Sequence, residues 1–295
     1  MTTTAWPIAS PDCEATSANP NIPFRFYFAY FCFALVLSSA AVLVLGATAA
    51  AQQTSQEKQL FEALNKSRQE AGQPALEWDE RLAQPARQHS KLMAESNQLG
   101  HSLKGEPPVA ERLAATGIRF NRSGENVGYN SDFNDLHRAW MESSGHRENI
   151  LNPNFTVVGI GIAQGDDGLY YATQDFAHAL AQHTAEQAED LVAQAINELR
   201  QKERHSPLER INKAGLRDLA CNMARSGKLD AQRAAELPNV RESLVYNNSR
   251  PEELPATAKK MLDNNRIAQF AAGACFTGDH PENPGGTFYV VLAFY

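Results

Sequence analysis

The sequence lacks most of the features that would assign a function directly. Its 27 lysines and arginines are outnumbered by 34 aspartates and glutamates, so the net charge is −7 and there is no basic surface typical of nucleic-acid binding. It contains no His-Glu-x-x-His, no Gly-x-Ser-x-Gly and no glycine-rich phosphate loop. The familiar signatures of zinc peptidases, serine hydrolases and nucleotide-binding enzymes are therefore absent.

Cysteine is also scarce, with four residues in the whole chain. Cys13 and Cys32 lie before or within an apolar run, which leaves Cys221 and Cys275 for the rest of the protein. In an oxidising compartment these two can form a disulfide, and the alternative is two separately buried thiols. Without a Cys-x-x-Cys motif, thiol redox catalysis has no support.

One long apolar run, residues 26–51, has no charged side chain and ends in small residues. It is typical either of a secretory signal peptide or of a single transmembrane anchor, preceded by a flank at residues 1–25. A buried core helix is a third interpretation. The first two predict that the remainder of the chain is extracytoplasmic, and that it contacts a membrane only through this segment.

Helical periodicity dominates the first part of the remaining chain. It predicts one helix over Ser55–Glu70 and a second that is capped by Asp79, in which Pro85 either causes a kink or marks a later start. Two further helices are predicted over 109–115 and 132–143. Ser144-Gly145 then predicts a turn. Two strand-like stretches at 157–163 and 169–176 are joined by Gly165–Gly168 and predict a β-hairpin. Helices followed by antiparallel strands indicate an α+β domain.

Part of this pattern returns later in the chain. The segment Ala195–Gln201 matches Ala63–Gln69, and Phe288–Phe294 matches Tyr170–Phe176. Between them, Glu242 matches Glu125. The order of the matches predicts a shorter, degraded second copy of the fold at residues 185–295, and an unrelated α+β tail is the alternative.

Three residues stand out as candidates for chemistry: His101, Glu125 and His146. Each is expected in a loop or at the end of an element, so only the tertiary structure can bring them together. Two imidazoles and a carboxylate can bind a divalent cation such as Zn²⁺, or exchange protons near neutral pH. From the pattern alone they can equally be ordinary polar loop residues, and His89 is assigned to packing on its helix.

A series of short motifs occurs in a fixed order over roughly residues 57–178. They are Asn65-x-x-Arg68, Pro74-Ala75-Leu76-x-Trp78-Asp79, Gly100-His101-Ser102, Gly124-Glu125-Asn126-Val127, Trp140-Met141, Gly145-His146-Arg147-x-Asn149-Ile150-Leu151 and Val158-Gly159-Ile160-Gly161. Together they resemble a bacterial member of the CAP superfamily, which includes cysteine-rich secretory proteins, antigen 5 and plant pathogenesis-related proteins.

The resemblance implies a three-layer α-β-α sandwich with an antiparallel sheet over residues 57–180, at a secreted or surface location. It also implies a groove lined by two histidines and acidic residues, at the positions of His101, Glu125 and His146. The candidate for a second groove glutamate, Glu142, stands one position from the family pattern, where this chain has Ser143. The cysteine framework of the eukaryotic members is absent.

The sequence therefore favours an extracytoplasmic binding protein whose groove holds a divalent cation, or a lipid or peptide ligand. One alternative is a metal-dependent hydrolase in which His101 and His146 hold the metal and Glu125 acts as base. The other alternative is a structural protein of the cell envelope that uses the second copy as a contact surface.

Overall fold

The computed structural model describes residues 53–278, 280 and 282–295 of the chain. The predicted flank at 1–25 and the predicted signal peptide or anchor at 26–51 lie outside these residues. Within them, no helix combines the length and the apolar character needed to cross a bilayer.

The first half folds as a four-stranded sheet between helices. In chain order its elements are α1 (Ser55–Glu70), β1 (Glu77–Trp78), α2 (Glu80–Ser96), α3 (Val109–Ala114), β2 (Phe120–Asn130), α4 (Leu136–Glu142), α5 (Ser144–Leu151), β3 (Val157–Gln164) and β4 (Tyr170–Ala179). The strand order is β1-β3-β4-β2, with β1 parallel to β3 and the other pairs antiparallel. The predicted α+β class is thereby confirmed.

The two faces of this sheet carry different helices because side chains alternate along a strand. On one face, Val158 and Ile160 join a core cluster with residues of α1, α4 and α5. On the other face, Gly159 and Gly161 meet the backbone of α2 so closely that a Cβ on Gly161 would lie 2.2 Å from the carbonyl carbon of Ala86. The result is the three-layer arrangement.

Helix boundaries follow their capping residues. The side chain of Thr54 accepts from the backbone of Glu57 while Glu57 accepts from the backbone of Thr54, which forms a capping box at the start of α1. Asp79 caps α2, which runs unbroken from Glu80 through Pro85, so the later start suggested by the proline does not occur.

Two local predictions were wrong, and both concern the candidate site. The predicted turn after residue 143 is helix α5, because only Ser143 adopts an extended conformation (ψ 123°) before the chain becomes helical again. The strand β2 was not predicted, and Glu125 lies in its middle rather than in a loop. Polar residues interrupt the alternation of this strand, which hides its periodicity.

The second half repeats this element order, except that it has one helix, not two, before its third strand. It contains α6 (Ala185–Lys202), β5 (Glu209–Arg210), α7 (Leu216–Ser226), α8 (Ala231–Ala235), β6 (Glu242–Asn248), α9 (Ala256–Leu262), β7 (Gln269–Thr277) and β8 (Thr287–Phe294). The strand order β5-β7-β8-β6 and the strand directions reproduce those of the first sheet. The boundaries at 57–180 and 185–295 stay predictions.

Specific side-chain contacts also recur. Asn65 exchanges two hydrogen bonds with the backbone of Leu76, at 3.0 and 2.8 Å. In the second half, Asn197 makes the same two bonds to the backbone of Leu208, at 3.4 and 2.9 Å. Each pair ties the first helix of its half to the segment that leads into the short edge strand, so the duplication extends to individual hydrogen bonds.

The glycines of the two sheets establish how the halves correspond. Gly161 pairs with Thr173 and contacts the backbone of α2. Gly273 pairs with Val291, and a Cβ there would lie 2.4 Å from a backbone carbon of α7. Thr173 and Val291 therefore occupy equivalent positions of β4 and β8.

Candidate functional site

The candidate site is built around Glu125, which lies on β2, the edge strand of the first sheet. Its side chain is only 2% exposed, and its Oε1 lies 2.8 Å from Nδ1 of His101. The other oxygen, Oε2, accepts from Nη2 of Arg112. His101 itself is 62% exposed, so a buried carboxylate is joined to an imidazole that faces solvent.

Arg112 links this pair to a second buried carboxylate. Its Nη1 donates to Oε1 of Glu106 at 2.8 Å, and both side chains are less than a tenth exposed. Glu106 also lies 2.7 Å from Nδ1 of His89, while Nε2 of His89 lies 2.8 Å from the carbonyl oxygen of Gly100. Since Gly100 precedes His101, His89 holds the loop that carries the exposed imidazole.

From the sequence, His89 is assigned to helix packing, and the structure shows that it also forms hydrogen bonds. It is fully buried, as a helix-packing residue would be, but it is also hydrogen-bonded at both ring nitrogens. Sequence reasoning missed Glu106 and Arg112 altogether. No spacing rule links a loop glutamate and a helix arginine to a histidine on the preceding helix.

Asp175 is a further buried acid of this region that sequence reasoning missed. It pairs directly with Glu125 across β4 and β2, it is fully buried, and neither carboxyl oxygen has a hydrogen-bonding partner within the described residues. Burial, and then the negative charge of Glu125, raise the pKa of Asp175 well above its ordinary value. The sequence signal that could have identified it is a single acid within the stretch predicted as a strand.

His146 approaches the same region from the opposite layer, on α5. Its carbonyl oxygen accepts from Nδ2 of Asn126 at 3.1 Å. Burial lowers the pKa of His146, and the charge of His101 lowers it further, so the two imidazoles lie close enough to interact electrostatically. Because Asn126 follows Glu125 in β2, the hydrogen bond to its side chain places the backbone of His146 beside the pair formed by His101 and Glu125.

Side chains from α4 and α5 hold these helices against the edge strand β2. Asn149 donates to the carbonyl oxygen of Glu125 at 3.1 Å and to Oδ1 of Asn126 at 2.9 Å. Trp140 donates its indole N–H to the carbonyl oxygen of Val127 at 3.2 Å. Two outward carbonyls of the edge strand are satisfied in this way, which limits pairing with another strand there.

Glu142 is placed elsewhere. It is 66% exposed on α4 and forms an ion pair with Arg138 at 3.2 Å. Its described contacts include neither Glu125 nor the two histidines. The prediction of Glu142 as a groove residue is therefore not supported by the geometry of α4.

The donor set does not fit a three-ligand metal site as it stands. Among residues 53–278, 280 and 282–295, no group of three His, Cys, Asp or Glu side chains is placed to hold a metal ion. Both oxygens of Glu125 are taken, one by His101 and one by the positive guanidinium of Arg112. A metal ion at the Glu125 carboxylate would have to displace the guanidinium of Arg112. Zinc binding therefore stays a prediction.

The second half shows which residues the same fold carries at the positions equivalent to Glu125 and Asp175. In the register of β2 and β4, Glu125 pairs with Asp175. The equivalent position of β8 is Ala293, which pairs with Ser243 and not with Glu242. The predicted match of Glu242 to Glu125 was therefore off by one residue, which in a strand directs the side chain to the opposite face.

Apart from Ser243, apolar residues replace the buried polar ones at the compared positions of the second sheet. Thr173, Gln174 and Asp175 of the first half correspond to Val291, Leu292 and Ala293, and Asn126 corresponds to Leu244. The same sheet thus forms without the charged cluster.

A cavity of about 530 Å³ lies between α2, the following loop and α3. Pro85, Leu92 and Pro107 supply apolar wall, and Glu106 and Arg112 supply charged wall. The buried cluster therefore has a cavity next to it in addition to the exposed imidazole of His101.

Comparison with known proteins gives one family. Residues 61–176 match the family model of CAP, the cysteine-rich secretory protein family. Two relatives come from Bacillus subtilis (strain 168): the uncharacterized membrane protein YlbC, 37% identical over 42% of this chain, and the uncharacterized protein YkwD, 36% identical over 37% of it. The matches span 35% and 42% of those relatives' own length.

A solved structure is similar as well. An extracellular protein containing an SCP domain from Bacillus anthracis str. Ames is 32% identical, with 41% of this chain and 40% of that chain covered and a TM-score of 0.38. The motifs and the family match agree on the same segment. Over residues 61–176, this chain is therefore similar to the CAP family of cysteine-rich secretory proteins.

Proposed function

We propose that this chain is an extracytoplasmic binding protein whose first half holds a ligand in the groove formed by His101, Glu125 and His146. The observation that carries the proposal is the buried cluster around Glu125, which the second half of the same chain does without. Burying charges costs free energy even when they are paired. Because the second sheet forms with uncharged residues at the equivalent strand positions, stability of the fold alone does not explain the charges.

The geometry supports an organic ligand over a bare cation. Arg112 already neutralises the carboxylate of Glu125, and burial keeps the pKa of His146 below its ordinary value, which favours the neutral imidazole. Neutral imidazole can donate and accept hydrogen bonds. The matching ligand carries hydrogen-bonding groups of both kinds, as a peptide backbone does.

The proposed location rests on the apolar run and on the relatives. Residues 26–51 have the composition of a signal peptide or anchor. One relative is named a membrane protein and one similar structure an extracellular protein. A disulfide within the second half suits an oxidising compartment.

The test is co-purification from the native host. The full chain and a His101→Ala/His146→Ala variant are isolated, and bound peptides and lipids are identified by mass spectrometry. A His205→Ala/His280→Ala variant serves as the matched control, because both histidines lie in the second half. We expect a compound that accompanies the native protein and the control but not the groove variant.

Identical extracts from all three proteins would contradict the proposal. A parallel calorimetric titration with zinc separates the metal-dependent alternative. Tight zinc binding that disappears only in the groove variant would replace the organic ligand with a metal.

A further inference from the structure

Arg119 is a buried cation at the junction of the two halves. It directly precedes β2 and is 2% exposed. Its guanidinium donates to the carbonyl oxygens of Ala181 and Ser249, the second of which belongs to the second half. The guanidinium carbon also lies 5.0 Å from the ring centroid of Phe276 and 4.8 Å from that of Phe288.

Within the described residues, these contacts leave Nε of Arg119 without a hydrogen-bonding partner. The carbonyl oxygens and aromatic rings around the guanidinium carry no full negative charge. Burial lowers the pKa of Arg119, and the negative charge of Glu252 offsets only part of that effect. Buried charges in proteins are normally paired, and carbonyl oxygens and aromatic rings supply only partial charge.

The guanidinium borders a small polar cavity of about 170 Å³. Besides Arg119, its wall contains two histidines, His178 and His183, and a second arginine, Arg250. Glu252 is the single carboxylate among the lining residues. Since a water molecule occupies about 30 Å³, this volume accommodates a small oxyanion with several waters.

We propose that this cavity binds a tetrahedral oxyanion of the size of phosphate or sulfate. The Nε–H of Arg119, which has no partner within the described residues, can donate to one oxygen of such an anion, and the imidazoles can donate further hydrogen bonds. Arg250, whose Nη1 also forms an ion pair with Glu253 at 2.8 Å, adds positive charge to the wall. The anion supplies a full negative charge and joins groups from both halves, because Arg119 and His178 belong to the first half and Arg250 to the second. The site is separate from the groove at Glu125.

The experiment is calorimetric titration of the full chain with inorganic phosphate, in a buffer free of phosphate and sulfate. We expect one saturable site in the native protein. Glu252→Gln removes the carboxylate that repels the anion and is expected to tighten binding about three- to tenfold. Arg119→Gln is expected to weaken it more than about tenfold, and Arg225→Gln, at an exposed arginine on α7 that does not line the cavity, serves as the control without effect.

Glu252→Gln keeps the proposal testable if Arg119→Gln does not fold. Absence of saturable binding in both the native protein and Glu252→Gln would overturn the proposal. Equal or weaker binding by Glu252→Gln would also overturn it. Competition by glycerol 3-phosphate would assign the site to an esterified phosphate group, and its absence to the free anion.

Discussion

At the scale of single residues, Asp175 is the most informative. It is a fully buried acid without a hydrogen-bonding partner in the described part of the chain, next to the carboxylate of Glu125. Two adjacent buried carboxyls cannot both ionise cheaply, so Asp175 is the one that holds its proton. Glu125 then remains the acceptor for His101 and Arg112.

This assignment predicts how stability changes with pH. In the unfolded chain Asp175 loses its proton near the ordinary pKa of 3.8, whereas in the folded chain it loses it only at a much higher pH. Between those two values the folded state binds more protons, so the free energy of unfolding falls as pH rises, by at most about 1.4 kcal/mol per pH unit. Asp175→Asn mimics the protonated acid and should remove this dependence.

Urea unfolding across about pH 5 to 8 measures the effect. The stability of Asp175→Asn relative to the native protein should increase with pH through this range. Asp166→Asn, at an exposed aspartate in the turn between β3 and β4, should follow the native curve. Parallel curves for the native protein and Asp175→Asn would show that Asp175 is ionised in the folded state.

At the scale of elements, the contact between α2 and the sheet positions the site. Gly159 and Gly161 let the backbone of α2 lie directly on β3, and this brings His89 beside Glu106 and Arg112. Ser90 fastens the same helix by donating to the carbonyl oxygen of Gly161 at 3.0 Å. A small outward shift of α2 would move the whole cluster.

Gly161→Ala is therefore expected to destabilise the protein by about 1–3 kcal/mol, because its Cβ would lie 2.2 Å from the backbone of Ala86. Gly273→Ala should have a similar effect through α7. Gly145→Ala is the control: it lies in α5, nothing approaches its Cβ within 4 Å, and alanine favours helix. Urea unfolding compares the three, and equal stabilities for Gly161→Ala and Gly145→Ala would contradict the packing argument.

At the scale of the whole molecule, two copies of one fold have diverged. The first copy has the buried charged cluster, and the second has uncharged side chains at the equivalent strand positions. The second copy has instead a covalent link between α7 and β7, where Cys221 and Cys275 form a disulfide with a Cα–Cα distance of 5.0 Å. Its stability is therefore expected to depend on the redox state of the protein.

The disulfide closes a loop with a sequence separation of 54 residues. Loop entropy predicts that reduction lowers the free energy of unfolding by about 4 kcal/mol. Urea unfolding with and without a reductant tests this. A Cys221→Ala/Cys275→Ala variant should have the same free energy of unfolding as the reduced protein, and the reductant should not change it. If the reductant leaves the native curve unchanged, the bond does not stabilise the fold.

Local chemistry was enough to predict many elements. The Asp79 cap, the apolar spacing of α1 and the turn at Gly165–Gly168 act over a few neighbouring residues, and the structure has α1, α2 and the β3–β4 hairpin where they indicate. The ordered motifs around His101, Glu125 and His146 likewise indicated the family, because the order of motifs can be read from the sequence without the tertiary structure.

Long-range pairing determined the rest. Asp175 meets Glu125 only through the register of β4 against β2, and Arg112 reaches Glu125 only because α3 and β2 pack together. Ser243 rather than Glu242 became the counterpart of Glu125 for the same reason, since a shift of one residue in strand pairing reverses the face. Register and packing depend on residues far apart in the chain, so no local pattern could have specified the buried cluster.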